Sequence, residues 1–182
     1  MVWRRVAIPF DLSFHDLHLI IQAAMGWEHQ HLYAFSEHLE SRYFTVVSPY
    51  AEEFGANARM VPADNILWQY LNQFHIEEDE ERDKMYYQYD YGDDWMHEID
   101  VEGYEDSNSP FPELLNAEGA CPPENCGGPP GFQMFKDYIR SDMSKEEYFN
   151  LIIAVNPEGY DAHHVDMADL KRRVKNWRSL DH

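Results

Sequence analysis

Two of the ten histidines and both cysteines are candidates for metal chemistry in this sequence. His31 and His97 fall on predicted strands, whereas Cys121 and Cys126 fall in a proline- and glycine-rich segment. Imidazole nitrogens and thiolate sulfurs together form a ligand set that suits zinc. The cysteines are separated by four residues, unlike the two-residue gap of common zinc ribbons. A zinc site of His31, His97, Cys121 and Cys126 is one hypothesis; small buried thiols with a hydrogen-bonded imidazole are the other.

A cysteine nucleophile is a further possibility for the same residues. It needs a neighbouring base and positive surroundings that lower the thiol pKa. His97 could be the base, but the nearby charged residues are mostly carboxylates. The sequence contains no phosphate-binding loop, dinucleotide fingerprint, HExxH or GxSxG motif. A metal-dependent enzyme centred on His97, Cys121 and Cys126 therefore stays as the alternative to a module that only binds.

The densest group of polar and aromatic residues belongs to a predicted β-hairpin. Residues 85–91 alternate between two faces, residues 92–94 supply turn chemistry, and Trp95, His97 and Ile99 share one face of the return strand. We predict that this hairpin and the cysteine segment enclose a pocket for a protein partner or a small ligand. The candidate binding residues are Trp27, His31, Tyr89, Asp90, Asp93, Trp95, His97 and Glu124.

A capping box predicts the first helix. Ser13 offers a hydroxyl, Asp16 offers a carboxylate three residues later, and Gly26 is a natural stop. Apolar residues at helical spacing predict its buried stripe: Leu17, Ile20, Ile21 and Ala24. His15, His18 and Gln22 fall on a neighbouring, more polar flank, which we interpret as a solvated face.

The remaining elements follow from periodicity and turn residues. Strands are predicted at 2–8, 31–35 and 43–47, and helices after Asp64, over 132–139, after Ser144 and over 165–177. The basic residues of the last helix, Lys171, Arg172, Arg173 and Lys175, are expected outside. Residues 77–84 are expected to be a solvated acidic loop. Residues 103–131 are expected to be a long Pro/Gly-rich loop without elements of its own, ordered in its second half.

Length and charge limit the function classes. A chain of 182 residues fits one domain, and 34 acidic against 14 basic residues leave a net charge of −20. Such a field disfavours direct binding to nucleic acid and to anionic membranes. Two cysteines are too few for a disulfide framework, and the sequence has neither a leader nor an apolar run long enough to span a bilayer. We therefore expect a cytoplasmic protein without membrane segments.

Five stretches of the chain, taken in order, resemble the plasmid pRiA4b ORF-3-like family. They are residues 3–5, 16–27, 31–35, 89–99 and 120–128, and the hairpin and the Cys-Pro-Pro-Glu-x-Cys-Gly-Gly loop are the most specific. Some family members carry the label of passenger TnpR-type proteins of insertion elements, yet nothing here resembles a recombinase core. The resemblance implies a single α+β domain over residues 1–182, with a curved mixed or antiparallel sheet packed by N-terminal and C-terminal helices.

The resemblance does not imply a defined activity. Relatives usually carry a further strand before Trp3, so the first strand of this chain is expected to correspond to the second strand of the family pattern, and the edge of the sheet is left open. We predict an accessory or binding module of plasmid or mobile-element origin, whose partner is an unknown protein or small molecule. Zinc is the one cofactor for which the sequence offers a candidate site.

Overall fold

The computed structural model describes residues 1–36, 46–47, 61–62, 84–107, 109–141, 160–161 and 163–181. These residues form an α+β fold, as the sequence predicted. Its strands are β1 (Trp3–Ala7), β2 (Tyr33–Ser36), β3 (Val46–Val47), β4 (Val61–Pro62), β5 (Lys84–Tyr89), β6 (Trp95–Asp100) and β7 (Glu113–Glu118). Its helices are α1 (Phe14–Met25), α2 (Gly128–Arg140) and α3 (Met167–Lys175), followed by a 3-10 turn at Trp177–Leu180.

The described strands form two sheets, where the sequence predicted one. The larger sheet has the order β4-β3-β2-β5-β6. It is mixed, because β3 and β4 run parallel while the other neighbours are antiparallel. The second sheet is a two-stranded antiparallel ribbon of β1 and β7.

The hairpin of β5 and β6 has the predicted faces. Met85, Tyr87 and Tyr89 are buried, and the register sets Tyr89 opposite Trp95 and Tyr87 opposite His97. Alternation placed Tyr91 on the same face as these residues, but it is 45% exposed. The expectation fails because strand β5 ends at Tyr89 and the chain already turns there, before the alternation reaches position 91.

Helix α1 begins and ends as predicted. Ser13 N–H donates to Asp16 Oδ2 at 2.8 Å, Asp16 N–H donates to Ser13 Oγ at 3.0 Å, and Gly26 closes the helix at φ 84°. A cap of this kind contributes about 1 kcal/mol. The interpretation of the polar flank is wrong, because His18 and Gln22 are both fully buried. Helix α1 contributes residues to two core clusters, one on the five-stranded sheet and one with β7 and α3, so little of its surface meets solvent.

The segment 103–131 is not a loop without elements, as had been expected. It contains β7, which pairs with β1 at the other end of the chain and buries Leu114. It also contains the start of α2. Helix α2 buries Phe132 and Phe135 as predicted, but Ile139 is 40% exposed because burial is confined to the first part of the helix.

The last helix is capped by Asp166, whose Oδ1 accepts from two backbone amides. Leu170, Val174 and Trp177 are buried as predicted. Arg173 is an exception to the exposed basic face, because it donates to Trp27 O and to Glu28. The helices predicted after Asp64 and Ser144, most of the strand at 43–47 and the acidic run 77–83 lie outside the described residues. Among the helices that are described, none has the length and apolar character needed to cross a bilayer.

Candidate functional site

The tip of the hairpin and the cysteine segment lie in direct contact. Asp93 Oδ2 accepts from the backbone N–H of Gly127 at 3.0 Å. A Cβ atom on Gly128 would lie 2.1 Å from Asp93 O, and the backbone there has φ +67°. Only glycine allows this approach, since L side chains rarely adopt that conformation and the space is already filled. The Gly-Gly pair is therefore what lets the two segments meet.

The turn between α1 and β2 forms the third part of this site, and Glu124 connects it to the sheet. Glu124 Oε1 accepts from the Tyr89 hydroxyl at 2.5 Å, and Glu124 Oε2 accepts from Glu28 N–H at 3.2 Å. The Tyr89 hydroxyl in turn accepts from Gln30 N–H at 3.0 Å. Burial, and next the Glu124 carboxylate, raise the pKa of Tyr89, so its hydroxyl keeps its proton. We call residues 27–31, 90–94 and 122–128 together the junction.

The backbone of the junction is unusual. In the described part of the chain, every non-glycine residue with positive φ belongs to it: His29 (55°), Asp90 (56°), Asp94 (54°) and Asn125 (59°). Non-glycine residues visit this region in only a few per cent of cases, and they persist when surrounding contacts hold them. Here the contacts include Asp90 Oδ1, which accepts from Gly92 N–H at 2.9 Å.

The space beneath the junction is filled with core side chains. Trp27, Tyr89, Trp95 and Cys126 are exposed by 2%, 1%, 9% and 0%. The Trp27 indole N–H donates to Pro122 O at 2.9 Å, which fixes this core to the cysteine segment. Within the described residues the two segments therefore meet over a packed interior, and that they enclose a ligand pocket stays a prediction.

The eight predicted binding residues divide into two layers. Six of them belong to the junction or bond directly to it: Trp27, His31, Tyr89, Asp90, Asp93 and Glu124. Trp95 and His97 lie in the core below, where the His97 ring meets the Trp27 ring edge-on at 5.4 Å between centroids. That any of them contacts a ligand stays a prediction.

The predicted zinc set does not assemble. His31 Nε2 lies 2.9 Å from Asn125 Oδ1, while His97 Nδ1 lies 3.2 Å from Tyr87 O, so the two imidazoles are held by different partners. No group of three or more His, Cys, Asp or Glu side chains in the described ranges has an arrangement that could hold a metal ion. A zinc site of His31, His97, Cys121 and Cys126 is therefore not found in the described structure, where each of the two histidines has a separate hydrogen-bond partner.

Both cysteines are free thiols in apolar surroundings. Burial raises the pKa of Cys121, and it outweighs the opposite effect of Arg4. Burial and the Asp93 carboxylate raise the pKa of Cys126 to about 12. The thiolate is the nucleophile, so thiols held in the protonated form do not favour that role. Cys121 and Cys126 match the other hypothesis, that of small buried groups.

A second polar site, which the sequence analysis missed, lies between α1 and β5. It is a closed ring of four hydrogen bonds, which we call the histidine–tyrosine ring. His29 N–H donates to Gln22 Oε1 at 3.0 Å, and Gln22 Nε2 donates to the Tyr87 hydroxyl at 3.0 Å. That hydroxyl lies 2.7 Å from His18 Nδ1, and His18 Nε2 lies 2.5 Å from His29 Nδ1.

Two further residues pack against this ring. The Tyr33 ring stacks on the His18 ring with centroids 3.6 Å apart, and His15 Nδ1 lies 2.7 Å from the Tyr33 hydroxyl. Burial, followed by the neighbouring imidazoles of His29 and His15, holds the pKa of His18 well below its ordinary 6.5. Burial also raises the pKa of Tyr87.

One signal in the sequence could have revealed the ring. Three tyrosines on the inward faces of β2 and β5 (Tyr33, Tyr87 and Tyr89) must find partners for their hydroxyls when buried. His18 and Gln22 are polar residues on the helix that covers that sheet. Because the apolar stripe of α1 was interpreted as its buried face, His18 and Gln22 were not considered as partners for these tyrosine hydroxyls.

Fold and site together define an α+β protein whose candidate surface is built from three loops held in a fixed backbone geometry. The chain matches the family model described as plasmid pRiA4b ORF-3-like protein over residues 1–169. The uncharacterized protein y4hQ of Sinorhizobium fredii (strain NBRC 101917 / NGR234) is 32% identical over 175 residues, covering 96% of this chain and 84% of that protein. The chain therefore belongs to the plasmid pRiA4b ORF-3-like family, as its motifs predicted.

A solved structure has the same fold. The crystal structure of a protein of unknown function, MM3350 from Methanosarcina mazei Go1, is similar with a TM-score of 0.68 and 23% identity over 92% of this chain and 88% of that one. At this level of identity the likeness concerns the fold alone.

Proposed function

We propose that this protein is a binding module of plasmid or mobile-element origin, and that its junction holds a positively charged segment of a partner protein. The observation that carries the proposal is the concentration of positive-φ residues in three hydrogen-bonded loops. Strained backbone of this kind gathers at functional sites, and binding residues are commonly placed on loops fixed by a rigid scaffold. The plasmid in the family's description supports the stated origin.

The charge of the junction supports a cationic partner. Glu28 and Asp94 are exposed carboxylates, and Asp93 and Glu124 are partly exposed. The described cation beside them is Arg173, whose guanidinium lies 2.9 Å from Glu28. In a chain of net charge −20, such a surface attracts basic segments and speeds their association.

An aromatic residue stands beside these carboxylates. Tyr91 is 45% exposed, although its hydroxyl donates to Tyr33 O at 3.3 Å. An exposed ring next to carboxylates suits a guanidinium or ammonium group, which can stack on the ring while it pairs with an oxygen. Arginine is the better fit, because its planar fork can do both at once.

An NMR titration with a short arginine-only peptide tests the proposal. We expect the backbone amide signals of residues 28–31, 91–94 and 124–126 to shift most. A variant with Glu28→Gln and Asp94→Asn removes two charges from the junction, and we expect about fivefold weaker binding, equivalent to about 1 kcal/mol.

The matched control carries Asp100→Asn and Glu105→Gln, which remove two exposed carboxylates outside the junction. If the control weakens binding as much as the junction variant does, the peptide responds to overall charge and the junction is not the site. An enzymatic role for the cysteines is less well supported, since both thiols are held protonated by burial.

A further inference from the structure

We propose that the histidine–tyrosine ring is a proton-operated switch that controls the shape of the junction. Its link to partner binding rests on the function proposed above, but the structural change does not. Each hydrogen bond in the ring has one possible direction, which the geometry of the four residues determines.

Gln22 sets the direction. Its Oε1 accepts from His29 N–H, a backbone group that can only donate, so its Nε2 faces Tyr87 and donates to the hydroxyl oxygen. The single hydroxyl proton of Tyr87 then points to His18 Nδ1. His18 must therefore carry its proton on Nε2, from which it donates to His29 Nδ1. All four bonds run the same way around the ring, and both imidazoles are neutral.

An added proton cannot be accommodated in this arrangement. A proton on His29 Nδ1 would face the Nε2–H of His18 across 2.5 Å, which sets two donors against each other. Moving the His18 proton to Nδ1 would instead point it at a hydroxyl that already accepts from Gln22 and then lacks an acceptor for its own proton. One bond must break in either case, and a buried group left unpaired is costly.

The described surroundings reinforce the neutral state. The groups around His18 are His15 on the same helix, His29 in the turn, Tyr33 on β2, and Tyr87 and Tyr89 on β5. A carboxylate, Asp181, is 61% exposed and lies 3.3 Å from His15 Nε2; it acts to raise the pKa of His29, but burial and His15 outweigh it. Burial comes first and the neighbouring imidazoles second in lowering the pKa of His18; burial also lowers the pKa of His29.

The lowered pKa values of the ring histidines make folding stability depend on pH. Unfolded imidazoles bind protons near pH 6.5, whereas those of the folded ring bind them only at lower pH. Between these values the unfolded state holds more protons, so folding stability falls as the pH falls. The contribution is fully present above pH 6.5 and is lost progressively below it.

The ring is connected to the junction through one turn. His29 lies at φ 55° between Glu28 and Gln30, whose amides bond to Glu124 and to the Tyr89 hydroxyl. The His29 amide itself is bonded to Gln22. Opening the ring therefore releases the residue that holds this turn, and the two neighbouring amides lose their fixed positions.

Histidine-detected nitrogen NMR on the full chain tests the switch. Above pH 6.5 we expect His18 to be protonated on Nε2 and bare on Nδ1. As the pH is lowered, the Glu28 and Gln30 amides should exchange faster, after correction for intrinsic exchange, with the same midpoint as the His18 signal. A His18 that carries its proton on Nδ1, or amides that do not respond when His18 titrates, would overturn the proposal.

Gln22→Glu is a variant of nearly the same shape. It keeps the acceptor for His29 N–H, removes the donor to Tyr87, and places a carboxylate near His18, so the midpoint should rise by at least about one pH unit. His163→Asn, a change at an exposed histidine outside the ring, should leave the midpoint unchanged; an equal rise in both variants would refute the switch.

The arginine peptide separates this inference from the proposed function. Peptide binding that weakens at the same midpoint supports both. If the peptide fails to bind at any pH while His18 and the two amides still titrate together, the proposed function fails and the switch stands. If the variant does not fold, the wild-type tautomer and exchange data decide alone.

Discussion

The junction and the histidine–tyrosine ring hold the same turn, but they do so in opposite ways. The junction uses contiguous loop segments whose polar groups are half-exposed, and its shape depends on glycines and positive φ angles. The ring uses single residues from α1, the turn and β5, and both His18 and Gln22 are fully buried. The junction therefore depends on backbone geometry, whereas the ring depends on buried hydrogen bonds.

The two regions differ in how visible they are in the sequence. The two cysteines suggested metal or nucleophile chemistry, yet in the described structure both are free thiols, and the glycines beside Cys126 allow a close backbone contact with Asp93. The ring, by contrast, has no local motif, yet it contains His18, whose pKa is held well below 6.5 by burial. Perturbed titratable groups are candidates for functional sites even where no local motif marks them.

The largest expected effect concerns the chemical reactivity of the Cys121 and Cys126 thiols. With a pKa of about 12, Cys126 is a thiolate in about one molecule in ten thousand near pH 8, against about a quarter for an unperturbed thiol. We expect both cysteines to react with a disulfide reagent on the order of a thousandfold more slowly in the native protein than in urea. A native thiol that reacts at the unfolded rate would restore the nucleophile hypothesis.

Gly128→Ala should cause the largest loss of stability. The added Cβ would lie 2.1 Å from Asp93 O at φ +67°, so the two segments of the junction would have to separate. We expect a loss of about 3 kcal/mol or more in urea unfolding. The control is Gly103→Ala, where φ is +152° and no atom lies within 4 Å, and there only the backbone cost of about 1 kcal/mol should remain. Equal losses would show that the close approach does not matter.

Local features of the fold could be predicted from the sequence. The capping box of α1 and the alternating faces of the hairpin depend on residues within a few positions of each other, and both are confirmed. Strand β7 could not be found, because its partner β1 lies more than 100 positions away and its surroundings are rich in turn residues.

In the candidate site, too, local features could be predicted and distant contacts could not. Contact between the hairpin and the cysteine segment was predicted from their concentration of polar, aromatic and cysteine residues, and the two segments do meet. The burial of His18 did not, because it requires Tyr87, 69 positions away, as a hydrogen-bond partner. The sequence shows which face of an amphipathic helix is apolar. Whether a second face is also buried depends on the tertiary structure that packs against it.

A tyrosine-to-phenylalanine change on the same strand compares the two regions directly. Tyr87→Phe removes the centre of the ring and leaves His18 Nδ1 and Gln22 Nε2 without partners in a fully buried place. We expect a loss of about 3 kcal/mol. Tyr89→Phe removes a hydroxyl whose partners, Glu124 and the Gln30 amide, belong to partly exposed and exposed residues that can bond to water instead, and it should cost about 1 kcal/mol. Chemical denaturation of both variants measures the difference, and equal losses would remove the distinction between buried and half-exposed networks.

The smallest expected effects separate charge from hydrogen bonding within the junction. Glu124 accepts from Tyr89 and from Glu28 N–H, and a glutamine can accept only on its oxygen while its amide would face the other donor. Glu124→Gln should therefore cost about 1 kcal/mol. Glu28→Gln removes the same charge, but the Glu28 side chain makes only a half-exposed ion pair with Arg173 in the described structure, and it should cost about 0.5 kcal/mol or less. If the order is reversed in urea unfolding, electrostatics rather than directed hydrogen bonds holds the three loops together, and the junction is more adaptable than its backbone geometry implies.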